Sequence, residues 1–435
     1  MKYFIKTYGC QMNINDSEKI KGILQTQGYE PATKEEDADL VILNTCTIRE
    51  KPDQKVWSHL GEIKKLKSKN PNVKIGVCGC MAQRAGYEIA SKMPFIDLVF
   101  GTKNIHHIPK LLEDVKLGNR AIEILEEEDP LENILDSYPT VRDNSYCAYV
   151  TIMRGCDKEC TYCVVPFTRG KERSRNPQSI LDEVKSLVDS GVMEIHLIGQ
   201  NVTAYGKDIG YPFYKLLENI SKIEGVKRIR FTTGHPIDMT DDIIETMASL
   251  PNMVNHLHLP FQAGSDRILE LMKRNYTKAY YLNRIEKLKA KIKDITLSTD
   301  IIVGFPTETE EDFQHTLDVV QTVEFEQVFS FKYSKRPNTP AYYMEDDLTD
   351  EIKTDRMKRL LEIQKAITSK LMRRYENTVQ KVLVEDKKAN TYIGRTTTNV
   401  WCNITSSQDL LGKEVEVLIT KAGFQSLDGV VQNIL

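Results

Sequence analysis

Along residues 1–118 the chain sets short, nearly continuous apolar runs between stretches of helical period. "KYFIKTYGC", "DLVILNTC", "VKIGVCGC" and "IDLVFGT" read as strands, with helices predicted near 16–27 and 52–68 and a further helix before the last strand. Strands separated by helices of this length require crossover connections, which predicts a parallel sheet and one α/β domain ending near residue 118. The acidic, proline-bearing stretch 119–141 reads as a linker. From "CAYVTIMRGC" onward the alternation resumes with longer units. Apolar runs at "EIHLIGQN", "RIRFTTGHP", "HLHLPFQ", "TLSTDIIVGFP" and "QVFSFKYS" are separated by amphipathic helices such as "DRILELMKRN". About six strand–helix units over 142–374 predict a full or partial α/β barrel, with its chemistry at the carboxyl ends of the strands. Beyond them, "TVQKVLVED", "YIGRTT", "VWCNITS", "KEVEVLITKA" and "SLDGVVQ" are short strands without helices, so 375–435 is predicted to be a small antiparallel β-barrel.

Composition adds limits rather than direction. Of 435 residues, 40% are apolar and 28% charged, the balance of an ordinary soluble protein. No stretch approaches the ~18 continuous apolar residues of a membrane helix. "MKYFIKTYGC" lacks the apolar run and cleavage site of a signal peptide. A cytoplasmic address without membrane contact is therefore expected. The net charge of -3 does not decide for or against nucleic acid, because binding follows clustered charge and not the sum. The stretch 351–374 holds eight Lys or Arg against three acids, whereas 123–136 is strongly acidic.

Nine cysteines, an odd number in a long chain, make poor material for a disulfide framework. Cys10, Cys46 and Cys80 each fall just past the end of a predicted parallel strand, which brings three thiols distant in sequence to one edge of a sheet. Cys156, Cys160 and Cys163 share the loop "CDKECTYC" after the first barrel strand. Thiolates are soft ligands that select zinc or iron–sulfur clusters. Structural zinc wants four closed ligands, often as two pairs, and a redox pair of Cys160 and Cys163 would leave Cys156 unexplained. Three ligands on a four-iron cluster leave one iron open to a small molecule. Cys78, Cys147 and Cys402 lie within predicted strands and read as small buried hydrophobes. His106, His107, His235, His256 and His258 form no HExxH pair and are assigned no metal.

"CDKECTYC" matches the CxxxCxxC loop of radical S-adenosylmethionine enzymes. Together with "TYGCQMN", "NTCTIRE", "CGCMAQ", "RGCDKECTYCVVPFTRGKERSR", "LIGQNVTAYG" and "STDIIVGFPTET", it resembles the MiaB-type tRNA methylthiotransferases of that superfamily, over essentially the whole chain. The resemblance implies a methylthiotransferase N-terminal domain at 1–118, a TIM-like radical core at 142–374 and a TRAM-like RNA-binding domain at 375–435. It implies two 4Fe-4S clusters: one on Cys156, Cys160 and Cys163 that chelates S-adenosylmethionine, and an auxiliary one on Cys10, Cys46 and Cys80 that carries the sulfur to be transferred. One S-adenosylmethionine methylates that sulfur; another yields a 5'-deoxyadenosyl radical that removes hydrogen from carbon 2 of an adenosine. Such a carbon–hydrogen bond offers no acidic proton to a general base, so the cofactor must supply the radical. Both clusters must then face one adenosine.

Within this family, the run "FTRGKERSR" is most similar to the group acting on N6-isopentenyladenosine at position 37 of tRNA. The alternatives are relatives acting on threonylcarbamoyladenosine or a ribosomal-protein aspartate, and a non-catalytic RNA-binding iron–sulfur protein that would have no need of a cofactor-cleaving loop. No catalytic residue is assigned beyond the cluster ligands. Tyr162 is expected near the cofactor's adenine. Gln200 and Asn201 are expected near its amino end, although "GQN" stands where the superfamily commonly has a glycine-rich acidic triplet. The implied partners are the tRNA anticodon loop, an electron donor such as a flavodoxin or ferredoxin, and a sulfur or cluster donor. RNA phosphates are expected on the helix 351–374 with Arg169, Lys171, Arg173 and Arg175.

Overall fold

The computed structural model describes residues 1–47, 50–127 and 138–435, the side chains of 50–55 aside. The chain divides into two compact units. One comprises 1–143 with 154–158 and 163–172; the other comprises 144–153, 159–162 and 173–435.

The first unit is built on six strands, β1 (Lys2–Thr7), β2 (Glu30–Pro31), β3 (Leu40–Thr45), β4 (Lys74–Gly79), β5 (Leu98–Phe100) and β6 (Ala121–Glu123). They form a sheet of order β2-β1-β3-β4-β5-β6 in which all pairs are parallel. Helices α1 (Gln11–Thr26), α2 (Glu50–Lys69), α3 (Cys80–Lys92) and α4 (Ile108–Lys116) supply the crossovers. The period of two divides β3 between two cores. Leu40 and Ile42 pack with Ile20, Ile23 and Leu111 from α1 and α4, while Val41 and Leu43 pack with Leu60, Ile63, Met81 and Ile89 from α2 and α3. A strand covered on both faces has no solvated side, which is why its sequence reads as an unbroken apolar run.

The sheet does not end near 118. β6 extends it into the stretch read as a linker, and its three residues, with only Ala121 buried, were too few to stand out beside the acids that follow. Residues 128–137 of that stretch lie outside the described residues. Its end is not free either: Val141 N donates to Glu18 O at 3.1 Å, and Lys21 pairs with Asp143 along α1. Gly22 permits this approach, because a Cβ there would meet Pro139 O at 1.5 Å.

In the second unit, β7 (Cys147–Thr151) is followed by the short β8 (Met153–Arg154) and β9 (Arg173–Ser174), with α5 (Val165–Arg169) of the first unit between them. Next come β10 (Glu194–Ile198), β11 (Arg228–Phe231), β12 (His256–His258), β13 (Thr296–Val303) and β14 (Gln327–Lys332). β7, β10 and β11 pair in parallel, as do β12, β13 and β14. Between the two groups the ladder thins to a bridge, with Ile229 N donating to Asn252 O at 2.8 Å and Val254 N to Ile229 O at 3.1 Å. Six parallel strands in sequence order, with α6 (Pro177–Asp189), α7 (Phe213–Ser221), α8 (Asp241–Ser249), α9 (Asp266–Leu271), α10 (Lys278–Lys291) and α11 (Glu310–Val323) packed around a continuous core, make a partial α/β barrel. α12 (Asp350–Met372), the last long helix, packs on β13 and β14.

The chain then closes a five-stranded barrel from β15 (Val379–Lys388), β16 (Thr391–Thr396), β17 (Trp401–Thr405), β18 (Glu414–Ala422) and β19 (Ser426–Ile434), in the order β15-β16-β17-β19-β18. It is not wholly antiparallel, because β17 pairs with β19 in parallel. Parity requires this. Strand directions that alternate around a ring return to register only for an even number of strands, so five must include a like-directed pair.

Candidate active site

In the first unit, β1, β3 and β4 are neighbours, and Cys10, Cys46 and Cys80 stand just beyond their carboxyl ends. The sheet order reverses between β1 and β3, the crevice where open α/β sheets receive ligands. Close approach is enforced by glycine. Gly9 has φ +129°, and a Cβ on it would meet Cys46 Cβ at 2.7 Å. Gly79, at φ +90°, would drive a Cβ to 2.3 Å from Thr45 O and 2.4 Å from Asn44 Oδ1. Beneath the trio, Asn44 Nδ2 donates to Asn13 O at 2.8 Å and Ser17 Oγ at 2.9 Å, Asn13 Nδ2 donates to Thr45 O at 3.2 Å, and Cys10 Sγ lies 3.5 Å from Asn13 Oδ1.

Arg169, at the end of α5, is buried within this unit and pairs with the equally buried Asp16 at 2.7 Å. Burial alone would weaken its hold on its proton. The Asp16 carboxylate and the Cys80 and Cys10 thiols reverse that and hold it charged. Burial pushes the Cys80 thiol up, and the Arg169 charge offsets that rise only in part. A fixed cation beside thiols that must ionise to bind metal is the electrostatic setting such ligands need.

In the loop "CDKECTYC", Cys156 and Cys163 belong to the first unit and Cys160 to the second. Gly155 (φ +72°) lets the loop entrance pass the following segment, since a Cβ there would lie 1.9 Å from Lys171 O. Cys163 Sγ accepts from Val165 N at 3.5 Å. Cys160 Sγ accepts from Arg274 Nη1 at 3.4 Å, and that buried guanidinium is itself fixed by Pro260 O at 2.9 Å and Tyr276 Oη at 3.2 Å. Thr161 is anchored to Leu271 O at 2.9 Å and Met272 O at 3.1 Å. Tyr162 is half-buried, edge-on to Phe305 with ring centroids 6.5 Å apart. Gln200 is half-buried just past β10, whereas Asn201 is buried. The Asn201 carboxamide holds the turn, donating to Asp238 Oδ2 at 2.7 Å and accepting from His235 N at 3.1 Å and Thr203 Oγ1 at 3.0 Å.

Among the described residues, no three His, Cys, Asp or Glu side chains are gathered tightly enough for a single metal ion. An iron–sulfur cube holds its ligands at separate corners, wider apart than the ligands of one ion. All-thiol donors, N–H groups directed at sulfur and buried arginines beside them fit such a cluster. Cys78 and Cys402 are buried in apolar cores as expected. Cys147 is instead half-buried, its Sγ 3.7 Å from Arg395 Nη2.

Most of the basic residues expected to meet phosphate are paired with acids of the protein itself, some buried and some at the surface. On α12, Lys353 pairs with Asp346, Arg356 with Glu308, Arg359 with Glu310 and Lys370 with Glu324; beyond it, Arg374 pairs with Glu326. Arg175 binds Glu183 at 2.7 Å and Thr151 O at 2.8 Å, and Arg169 is buried as above. Lys358, Lys365, Lys370, Arg373, Arg374 and Lys171 are the exposed members of that set, Lys370 and Arg374 with an acid beside them. A run of like charge in sequence conceals its counter-ions when they come from other segments. Arg274 and Asp16 escaped the sequence reading for the same reason: a lone charged residue carries no mark of burial.

Residues 2–101 match the Uncharacterized protein family UPF0004, residues 150–320 the Radical SAM superfamily and residues 373–431 the TRAM domain. A tRNA-2-methylthio-N(6)-dimethylallyladenosine synthase of Hydrogenobaculum sp. (strain Y04AAS1) is 96% identical over the full length of both chains. The chain belongs to the tRNA-2-methylthio-N(6)-dimethylallyladenosine synthase family. The synthase of Aquifex aeolicus (strain VF5) is 61% identical over 100% of this chain and 99% of its own. Among solved structures, the radical S-adenosylmethionine methyltransferase TsrM from Kitasatospora setae, with cobalamin and a [4Fe-4S] cluster bound, shares the fold. Its TM-score is 0.59 at 15% identity, covering 78% of this chain and 77% of that one. Membership of the radical superfamily brings a 4Fe-4S cluster and S-adenosylmethionine to a synthase of this family. No helix among the described residues is long and apolar enough to cross a membrane.

Proposed function

We propose that this chain is a tRNA-modifying enzyme that places a methylthio group on carbon 2 of N6-isopentenyladenosine, at position 37 beside the anticodon, by a radical mechanism. Near-identity over the whole length to a synthase of that name carries the reading, and two cysteine trios on suitable elements support it. When bound, the first cluster with S-adenosylmethionine supplies a 5'-deoxyadenosyl radical, and an auxiliary cluster supplies the sulfur. Cys156, Cys160 and Cys163 hold the first, leaving an iron open to the cofactor, and Cys10, Cys46 and Cys80 hold the second. Arg274 fixes the Cys160 sulfur in place, and Arg169 does the same beside Cys10 and Cys80. Tyr162 borders the adenine of the cofactor. Asn201 holds its turn with its carboxamide, leaving Gln200 to reach the amino end. The reading calls for a cytoplasmic electron donor such as a flavodoxin or ferredoxin and for a donor that restores the sulfur.

The test is anaerobic reconstitution followed by iron counting and assay of 5'-deoxyadenosine with reductant. Cys160→Ala is expected to abolish cofactor cleavage, and Cys46→Ala to spare cleavage while ending sulfur insertion. Equal loss of both from Cys46→Ala would show that the roles are wrongly divided. In cells lacking the protein, mass spectrometry of anticodon-loop nucleosides should find isopentenyladenosine without its methylthio form.

A further inference from the structure

The turn Pro340–Tyr343, which follows β14 in the segment "SKRPNTPAYY", presents two tyrosines to solvent. Tyr343 is 80% exposed and Tyr342 39%, their rings 5.3 Å apart and nearly perpendicular. Aromatic rings this bare gain little from folding, and two of them held side by side offer flat apolar faces to a ligand.

The backbone beneath them is rigid. Ala341 is fully buried; its N–H donates to Thr161 O at 2.8 Å, and its carbonyl accepts from Tyr333 Oη at 2.7 Å. Thr339, also buried, donates to Arg336 O at 2.7 Å. Tyr162, Phe305 and Tyr333 form a chain of edge-on rings below, with centroids 6.5 Å and 5.2 Å apart. Because Thr161 follows Cys160 directly, the tyrosine pair is tied to the cysteine loop itself. Lys335 in the same segment is exposed, as are Glu345 and Asp347 just beyond the rings, so the case for the surface rests on the aromatic faces and not on charge.

We propose that Tyr342 and Tyr343 are a stacking platform for an unpaired base of the RNA loop presented to the cysteine loop. This rests on the reading of the chain as a tRNA-modifying enzyme. RNA loops are recognised by splaying out bases and stacking them on aromatic faces, next to cations that meet the backbone. A ring pair bolted to the cofactor loop through Ala341 and Thr161 offers such aromatic faces.

The experiment measures the affinity of the reconstituted full chain for an isopentenyladenosine-bearing anticodon stem-loop, by fluorescence anisotropy at fixed salt. Tyr342→Ala/Tyr343→Ala and Tyr342→Phe/Tyr343→Phe are compared with the parent. Iron content is measured first, which separates a disturbed cysteine loop from a lost stacking surface. The alanine pair is expected to weaken binding by roughly five- to hundred-fold, the range for loss of one or more stacked bases, and to raise KM more than it lowers kcat. The phenylalanine pair keeps the rings and should bind within about two-fold of the parent, since stacking needs no hydroxyl. Equal binding by the parent and the alanine pair, at matched iron content, overturns the platform while leaving the enzymatic reading intact. A parent that ignores the stem-loop overturns both. A shift in sedimentation of the RNA-free protein caused by the alanine pair would assign the surface to a protein partner and overturn the proposal.

Discussion

Arg274 places a buried guanidinium 3.4 Å from the sulfur of Cys160, held there by the oxygens of Pro260 and Tyr276. A positive charge and an N–H donor at a cluster thiolate both favour the reduced, more negative cluster. Arg274→Met is therefore expected to lower the midpoint of the CxxxCxxC cluster by tens of millivolts, roughly 60 mV for each 1.4 kcal/mol of differential stabilisation lost. Arg274→Lys should recover part of the shift. The measurement is an EPR-monitored redox titration at matched iron content; an unmoved midpoint would mean that Arg274 only packs. Gly79 poses a simpler case. With φ at +90° and the Thr45 backbone at 2.3 Å, Gly79→Ala has neither the conformation nor the room, and should destabilise the first unit by at least ~2 kcal/mol in urea unfolding.

Among the elements, β10, β11 and β16 meet through charge. Glu194 and Arg230, both fully buried, pair at 2.9 Å, and Arg395 of β16 approaches the same carboxylate at 3.3 Å while binding Glu385. Burial would raise the Glu194 carboxyl, but the Arg230 and Arg395 guanidiniums hold it well below the usual carboxylate range. Burial, with Arg230 nearby, also pushes His196 down to about 3, so this histidine stays neutral. Glu194→Gln removes the shared counter-charge and is expected to cost about 3–5 kcal/mol, read from thermal or denaturant unfolding.

A second joint pins α12. Glu308 accepts from Gly304 N at 2.7 Å and Arg356 at 2.7 Å, yet burial pushes its carboxyl up to about 7, from an ordinary 4.5. Between those values the folded chain holds a proton that the unfolded chain has released. The stability Glu308 contributes is thus complete below about 4.5 and lost as pH rises through about 7, an effect on the order of 3 kcal/mol. Unfolding free energy should decline over that window in the parent but not in Glu308→Gln.

These elements also show what a sequence can convey. Strands buried on both faces, such as β3 and β4, announce themselves, and the cysteine just past each is placed by the sheet; β1, buried only at Tyr3, was legible from its β-rich run instead. The first turns of α1 were not. Asn13, Asp16 and Ser17 are polar yet buried, because their partners, Asn44 and Arg169, come from β3 and from α5. Arg169, expected to meet phosphate, spends its charge on Asp16 instead, and the parallel pair in the terminal barrel follows from the number of its strands alone.

At the scale of the whole molecule, the terminal barrel and the radical core form one compact unit rather than a body with a tethered arm. Arg228 of β11, buried, donates to Glu414 of β18 at 2.8 Å and to the backbone oxygens of Arg395 and Lys381 at 2.8 and 3.2 Å. Ending the chain at residue 374 would strip these acceptors and leave Arg228 unsatisfied at a fresh surface, with Glu194 and Arg230 losing Arg395 beside them. Such a truncation is expected to melt well below the parent in calorimetry, with the core failing to keep its own transition; an unshifted core transition would show that the barrel is dispensable to it.

The terminal barrel has consequently become a poor candidate for exchange. A barrel with other residues in place of Glu385 and Glu414 would leave Arg228 and Arg395 without their carboxylates, so a change at either site must be answered on the opposite element. Natural recombination between lineages should leave the junction intact, inheriting β10, β11, β16 and β18 as a set.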